Sequence, residues 1–381
     1  MKKSFLLAAF AGILLAGCTS DEQTEVATSR TDNPIVFNSP IVNAQTRAVA
    51  GEQPVNGKYS TSEKFRVYAV QHIGNFQGWN ADGTQLYLNN LEVSYSASIE
   101  GTTNGGWAPS DPVYWPKTEN AMLTFAAYSP SEASEFSPIY NESGLSLTDF
   151  TPKSNVEEQY DLMYSSRSYD RTASTNELTG TGHTTNSYDG VDILFHHALS
   201  SINFKAKTAA NYSNTEIKIQ KITINNAYTK ADFNENITNE GVATFASNPS
   251  WSNFRTPTNY VVYHGKTSAL STTATELLGK PALLIPQKMD GTDASSAQEI
   301  KVTVNYTIKV GDGTAVDQTG VVSFVDGNNG DYFTDGTNKI KAWEMGKRYT
   351  YTISIGLNNI IYFSPEVEYW DDINAEGDIN I

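Results

Sequence analysis

The sequence predicts an all-β protein, and three observations support that class. The 381 residues include 21 Tyr, 16 Phe and 6 Trp, whereas only 18% are charged. Short segments that alternate apolar and polar side chains follow one another, with Gly, Pro and Asn between them. Residues 267–278, the best helix candidate, lack a continuous apolar stripe. The strand number suits two β-sandwiches, and the length suits two domains.

The first element is a secretory signal. Two lysines precede the apolar run 5–15, and Leu-Ala-Gly-Cys at 15–18 matches a bacterial lipobox. The apolar run is too short to span a bilayer as a mature helix. Cys18 is the only cysteine, so it has no disulfide partner in the chain and suits lipid attachment. We therefore predict a signal peptide at 1–17 and an outer membrane lipoprotein precursor anchored through lipid on Cys18.

Residues 18–47 are predicted to be a tether and a removable first strand. The acidic Ser-Asp-Glu at 20–22 fits either a surface-export signal or a solvated tether. Residues 43–49 are small and polar, which predicts an exposed protease site between Arg47 and Ala48.

The first strand is predicted at 34–42. Alternation places Ile35, Phe37 and Ile41 on one face. The two prolines in this segment cannot donate to a ladder, so they predict a strand at the edge of its sheet.

Further predicted strands follow at short intervals up to the C-terminal region. They are residues 64–71, 91–99, 121–128, 160–164, 191–206, 216–225, 259–263, 282–285, 299–310, 320–324, 348–357 and 360–369. The long segment 191–206 crosses the predicted boundary between an N-terminal sandwich at 48–198 and a C-terminal sandwich at 199–381.

Composition and motifs argue against enzymes and nucleic-acid binders. Lys plus Arg total 26 and Asp plus Glu total 42, so a net charge of −16 disfavours nucleic acid as a partner. The chain contains no GxSxG, phosphate loop or dinucleotide fingerprint. The adjacent His196 and His197 lie in a predicted strand, which points them to opposite faces, one near the core. We expect no catalytic residue, no cofactor and no metal site.

Several segments, in this order and spacing, resemble the fimbrillin family, the Mfa-like lipoprotein pilins of type V fimbriae. They are the lipobox with a first strand and Thr46-Arg47, Val-Tyr-Trp-Pro at 113–116 with 123–130, Leu-Phe-His-His-Ala-Leu-Ser at 194–200 with 202–205, and 346–351 with 367–370. The resemblance implies two tandem transthyretin-like β-sandwich domains. It also implies a precursor matured by an arginine-specific protease and polymerised with other fimbrial subunits by strand exchange.

Removal of the first strand would leave a groove that another strand can fill. The candidate donor is the last predicted strand, whose apolar face carries Ile361, Phe363, Val367 and Tyr369. Two alternatives stay open: this stretch is simply the last strand of its own domain, or residues 371–381 are the donor.

The predicted function is a pilin that supports adhesion at the cell surface, with a host or bacterial surface ligand. A fimbrial tip or anchor protein is an alternative within the family. A surface glycan-binding lipoprotein is the alternative outside it, and it would need an exposed aromatic platform, with Trp79 or Trp107 as candidates. A glycosidase would need paired carboxylates, for which solvated loop residues are the simpler interpretation.

Overall fold

The computed structural model describes residues 34–43, 56–81, 83–99, 105–173, 190–241, 244–295, 298–326, 331–357 and 361–370. Cys18, Arg47 and Ala48 lie outside the described residues, and so does the tail 371–381. The predictions that concern them therefore stay predictions. None of the helices among the described residues has the length and apolarity needed to cross a membrane.

The chain up to residue 197 forms eleven strands and two 3₁₀ helices among its described residues. The strands are β1 (Ile41–Asn43), β2 (Asn56–Lys58), β3 (Lys64–Ile73), β4 (Gln85–Ser96), β5 (Gly106–Pro109), β6 (Ala121–Ser129), β7 (Ile139–Asn141), β8 (Gly144–Phe150), β9 (Met163–Ser165), β10 (Ser168–Arg171) and β11 (Leu194–His197). The 3₁₀ helices are Ser131–Phe136 and Val156–Glu158.

The described residues from 200 onwards form strands joined by turns and loops, and no helix. They are β12 (Ser200–Thr208), β13 (Thr215–Asn234), β14 (Ile237–Gly241), β15 (Thr244–Ser247), β16 (Ser250–His264), β17 (Thr275–Glu276), β18 (Ala282–Leu284), β19 (Lys301–Val310), β20 (Val316–Ser323), β21 (Val325–Asp326), β22 (Asp331–Tyr332), β23 (Thr334–Asp335), β24 (Asn338–Lys339), β25 (Lys347–Ile355) and β26 (Ile361–Tyr369). The predicted all-β class is confirmed, and residues 267–278 contain a short strand rather than a helix.

Three large sheets organise these strands. A nine-stranded sheet has the order β2-β1-β11-β9-β6-β3-β4-β5, with β10 beside β6. A five-stranded sheet runs β17-β12-β25-β26 with β18 on β12, and a six-stranded sheet runs β20-β19-β13-β8-β7 with β16 on β13. The five- and six-stranded sheets enclose one apolar core between them, in which Phe204, Ile222 and Tyr351 are buried.

The predicted strand 191–206 divides into two. β11 joins the nine-stranded sheet, whereas β12 joins the five-stranded sheet. Ala198 and Leu199 between them are both fully buried, so the alternation of one strand cannot continue through them. The domain boundary after residue 198 stays a prediction, and the pairing of β8 with β13 crosses it.

A further apolar cluster joins the two halves of the chain. It brings Tyr68 and Tyr128 together with Phe233 and Trp370. Within this region the Arg167 guanidinium lies over four aromatic rings. The distances from its central carbon to the ring centroids are 5.5 Å for Phe76, 5.3 Å for Trp79, 5.5 Å for Tyr140 and 5.8 Å for Phe245. Because Phe245 lies on β15, these cation–π contacts fasten the β14–β15 hairpin to the first half of the chain.

Glu235 is a buried carboxyl in this interface, directly after β13. Its side chain accepts a hydrogen bond of 2.9 Å from the backbone N–H of Leu145. Burial raises the pKa of Glu235 from 4.5 to about 7, although the Leu145 amide and the nearby Arg167 charge oppose that rise.

This carboxyl predicts a pH-dependent stability. Between pH 4.5 and 7 the folded chain keeps a proton on Glu235 that the unfolded chain has lost, so stability falls as pH rises through this window. We expect the free energy of unfolding of Glu235→Gln, relative to that of wild type, to rise by about 2–4 kcal/mol between pH 4.5 and pH 8. Urea denaturation of both proteins at these two pH values measures this rise. A difference in stability between the two proteins that does not change with pH would contradict the prediction.

Candidate assembly groove

Residues 34–43 fill a gap between two parts of the nine-stranded sheet. On one side, the N–H of Ile35 donates to the Val113 carbonyl at 2.7 Å, and the N–H of Phe37 donates to the Trp107 carbonyl at 2.8 Å. These bonds join the segment to β5 and to the chain that follows β5.

The other side of the same segment is bonded to the chain that leads into β11. The N–H groups of Asn38 and Ile41 donate to the carbonyls of Val191 and Ile193, both at 3.0 Å. In return, the Val191 N–H donates to the Val36 carbonyl at 2.8 Å. The segment is therefore held on both sides.

The predicted edge position is wrong. β1 lies between β2 and β11, and the residues before it are bonded on both sides. The prolines are tolerated because the N–H groups that bond the segment to its neighbours, among them those of Ile35, Phe37, Asn38 and Ile41, come from other residues. Pro40 only accepts, through its carbonyl, from the N–H of Tyr59 at 3.1 Å.

Phe37 is the central apolar anchor of the segment. Its ring meets Phe65 and Phe125 edge to face, with centroids 5.6 and 5.7 Å apart. Only 2% of its surface is exposed. We call the site that the segment occupies the first-strand groove; its walls are residues 107–113 and 190–195, and its floor includes Phe65 and Phe125.

The prediction that Ile35, Phe37 and Ile41 share one face is wrong for Ile41. Ile35 is buried beside Phe37, but Ile41 is 38% exposed and Val42 is buried in its place. Irregular backbone between Phe37 and β1 inserts one extra residue, so the alternation changes phase before Ile41.

Gly190 lets the segment lie close to its wall. Its φ is +70°, and a Cβ built on it would lie 2.5 Å from the carbonyl carbon of Phe37 and 2.6 Å from the Asn38 nitrogen. A side chain at this position would therefore collide with backbone, which cannot move aside cheaply.

The candidate donor strand is paired within its own chain. β26 runs antiparallel to β25 from Ile361 opposite Ile355 to Tyr369 opposite Lys347, and it is the outer strand of its sheet. Phe363 is buried, while Ile361, Val367 and Tyr369 are half-buried. In this structure the segment is thus the last strand of its own half, and a donor role stays a prediction.

Sequence reasoning missed a buried polar pair at the end of β26. His197 Nδ1 and Asp161 Oδ2 are 2.5 Å apart, and both side chains are buried. The Trp370 ring stacks on His197 with centroids 4.0 Å apart. His196 points to the other face and bonds Ser166 at 2.7 Å, as the predicted strand geometry requires. Nothing in the sequence marks Asp161 as the partner, because the two residues meet only through the pairing of β9 with β11.

Other candidate chemistry is accounted for by burial. Trp79 and Trp107 are 6% and 2% exposed, so neither forms the aromatic platform that glycan binding would need. Burial also lowers the pKa of His196 to about 4. Among the described residues, His, Cys, Asp and Glu side chains form no group of three that could hold a metal ion.

The fold and the groove define an all-β protein in which residues 34–43 complete a sheet by lying between two of its other strands. A family model described as fimbrillin-like matches residues 46–370, so the chain belongs to the fimbrillin-like family. The resemblance found in the sequence is thereby confirmed.

One curated protein and one solved structure are similar to this chain. The fimbrium subunit Fim1C of Phocaeicola vulgatus is 24% identical over 422 aligned positions that cover all of both chains. Among solved structures, a fimbrial protein from Bacteroides vulgatus matches with a TM-score of 0.55 and 18% identity, covering 89% of this chain and 100% of that one. The second likeness shows a shared fold.

Proposed function

We propose that this chain is a structural subunit of a surface fimbria that supports adhesion. It is exported as a lipoprotein through Cys18, cut between Arg47 and Ala48 by an arginine-specific protease, and polymerised by donor-strand exchange with other fimbrial subunits. Family membership and the name of the Phocaeicola relative support the fimbrial part. The exchange mechanism is supported by one observation: residues 34–43 are hydrogen-bonded on both sides, in the middle of a sheet.

Loss of this segment would leave unpaired backbone in the groove. The carbonyls of Trp107, Val113, Val191 and Ile193 would each lose a donor. A buried polar group without a partner costs about 1–3 kcal/mol, so the groove would favour any strand that restores these bonds.

The side chains add an apolar contribution. Ile35, Phe37 and Val42 are all buried in one cluster, and each such side chain stabilises by roughly 1.5–3 kcal/mol when it leaves water. As long as residues 34–43 remain attached, they occupy the groove as an intramolecular ligand at high effective concentration. A cut releases that constraint, so a strand from a neighbouring subunit can compete for the site.

The position of the predicted cut suits this role. β1 ends at Asn43 and pairs there with Asn56 at the start of β2. Arg47 and Ala48 therefore belong to the connection between two neighbouring strands. A cut in that connection would separate the segment from the rest of the chain while leaving both strands in place until exchange.

A stalk role fits these features best, and tip and anchor roles remain alternatives within the family. A tip or anchor subunit would differ from a stalk subunit in one of two respects: whether its groove is emptied, or whether it donates a strand to a neighbouring subunit. The glycan-binding alternative lacks support, since Trp79 and Trp107 are both buried.

Processing at Arg47 is tested with purified residues 19–381 and an arginine-specific protease. We expect one new N-terminus at Ala48 and a ladder of multimers on an unboiled denaturing gel. Arg47→Ala should abolish both. Arg30→Ala is the matched control, because a cut after Arg30 would leave the first strand attached, and it should assemble like wild type.

Two results would overturn this proposal. Normal maturation and assembly of Arg47→Ala would show that Arg47 is not the processing site. Cleavage at Arg47 followed by a monomer that keeps the 34–43 peptide bound, with or without other subunits present, would show that the segment is structural and not exchanged.

A further inference from the structure

Arginine and lysine are distributed differently over this chain. The sequence contains 7 Arg and 19 Lys. Two of the arginines, Arg30 and Arg47, precede β2. The other five all lie among the described residues, and each of them is buried or half-buried. They are Arg66, Arg167, Arg171, Arg255 and Arg348.

Two of these five arginines lie in strands that are paired on both sides. Arg66 belongs to β3, between β4 and β6, and Arg348 belongs to β25, between β12 and β26. The Arg66 side chain donates to the Asn90 carbonyl at 2.9 Å, and Arg348 Nη1 lies 3.7 Å from Glu368 Oε1. The backbone at these two positions can bind a second protein only after its own sheet has opened, because its N–H and C=O groups are already paired.

Arg167 lies between β9 and β10, and its side chain is enclosed. Its Nη2 donates to the carbonyls of Asn141 and Glu142 at 3.1 and 3.0 Å, and its Nε donates to the Tyr140 hydroxyl at 3.2 Å. The four aromatic rings described above surround the same guanidinium. Extraction of this side chain would therefore break contacts with both halves of the chain.

The last two arginines are held by neighbouring side chains. Arg171 ends β10, which pairs with β6, and its Nε donates to Ser168 Oγ at 3.0 Å. Arg255 lies in β16, which pairs with β13, and its Nη2 donates to the carboxylates of Asp149 and Asp232 at 2.5 and 2.6 Å. Because charge-assisted hydrogen bonds are roughly twice as strong as neutral ones, the Arg255 side chain is firmly held.

Lysines occupy exposed loops instead. Among the described residues, Lys117, Lys153, Lys266 and Lys280 are exposed and lie outside the strands. Arginine and lysine carry the same charge on long side chains, so a general preference of charge for the surface does not separate them. The described part of the chain thus offers accessible lysines but no arginine in an exposed loop.

This difference matters to a protease that is specific for arginine. Such an enzyme takes the guanidinium into its own pocket, and it cuts where the backbone around the bond is exposed. An arginine in a strand, or one whose side chain is bonded, becomes available only when that part of the fold opens. Cleavage then follows the population of the open form, which is small for strands in a packed core.

We infer that the fold itself confines arginine-specific cleavage to the residues before β2, so that one protease matures a folded chain and degrades an unfolded one. This inference rests on the proposed function in one respect, because it takes the maturing protease to be arginine-specific. It adds that the selectivity lies in the folded substrate and not in the residues that flank Arg47.

The inference has a consequence for each state of the chain. Every arginine that follows Ala48 is one of the five described above, so the processed chain 48–381 resists the protease as long as it is folded. A chain that has not folded presents all seven arginines and is cut into pieces. The same enzyme would thereby remove subunits that are unfit for assembly.

The test is digestion of residues 19–381 with an arginine-specific protease, with the fragments identified by mass spectrometry. Lys117→Arg and Lys280→Arg place an arginine at exposed loop positions without changing the charge. Lys221→Arg is the matched control, because this residue lies in β13 between β16 and β19. Each protein is digested in its folded state, and again in urea at a concentration that unfolds the chain but leaves the protease active.

We expect folded wild type and folded Lys221→Arg to lose their N-terminal residues and to keep 48–381 intact. Folded Lys117→Arg and Lys280→Arg should each be cut at the new arginine, roughly a hundredfold or more faster than at any of the five native positions. In urea every arginine should be cut.

Three results would count against these proposals. Rapid cleavage of the folded wild-type chain at any of the five arginines would overturn the inference. Resistance of both loop variants would overturn it as well, since it would show that the protease reads the sequence around Arg47. Cleavage of the loop variants at their new arginines while Arg47 stays intact would instead overturn the proposed processing site.

Discussion

Phe37→Ala in the precursor is expected to lower the free energy of unfolding by about 3–5 kcal/mol. Its ring is buried against Phe65 and Phe125 at the centre of the first-strand groove, and alanine would leave a cavity that two edge-to-face partners line. Because the surrounding strands are hydrogen-bonded, the cavity cannot close by a small shift. Urea denaturation of residues 19–381 measures the loss.

Ile41→Ala is the matched control for Phe37→Ala. Both residues lie on the removable segment, but Ile41 is exposed, so its truncation should cost less than about 1 kcal/mol. Equal losses in the two variants would show that the segment contributes through its backbone alone and that the aromatic pocket does not hold it.

Gly190→Ala is expected to lower the free energy of unfolding at least as much as Phe37→Ala does, because it prevents residues 34–43 from packing into the groove. The new Cβ would lie 2.5 Å from the Phe37 carbonyl carbon, and the backbone would be forced to hold φ near +70° with a side chain present. Overpacking and left-handed strain each cost about 1–3 kcal/mol, and here they add to the loss of the segment's own contacts.

Gly74→Ala separates these two contributions. Gly74 has a φ of +74°, and a Cβ on it would meet nothing within 4 Å. It therefore reports the cost of left-handed backbone alone, about 1 kcal/mol. The excess loss in Gly190→Ala, measured by the same denaturation experiment, is the collision. No excess over Gly74→Ala would contradict the tight seating of the segment on its wall.

Phe37→Ala and Gly190→Ala should differ in their effects after processing. If residues 1–47 are removed, Phe37 leaves with them, and the effect of Phe37→Ala should disappear from the assembled fibre. Gly190 remains in the groove wall, so Gly190→Ala should also hinder the incoming strand and shorten the multimer ladder. This contrast follows because one residue belongs to the departing occupant and the other to the site.

Much of the local structure could be predicted, since side-chain alternation reports which face of a strand is apolar. β3, β6, β19 and β25 lie close to the predicted segments. Failures occurred where backbone left regular alternation, as between Phe37 and Ile41, or where two buried residues followed each other, as at Ala198 and Leu199. Such irregularities depend on neighbours that are distant in sequence.

The sequence by itself determined the all-β class, the family and the apolar face of the last strand, because these depend on composition, periodicity and motif order along the chain. Only the tertiary structure decided which strands are neighbours. It placed the first segment between β5 and β11, β8 beside β13, and Asp161 against His197. Strand pairing joins backbone groups that are alike in every residue, so the choice among many compatible partners is made when the whole core packs.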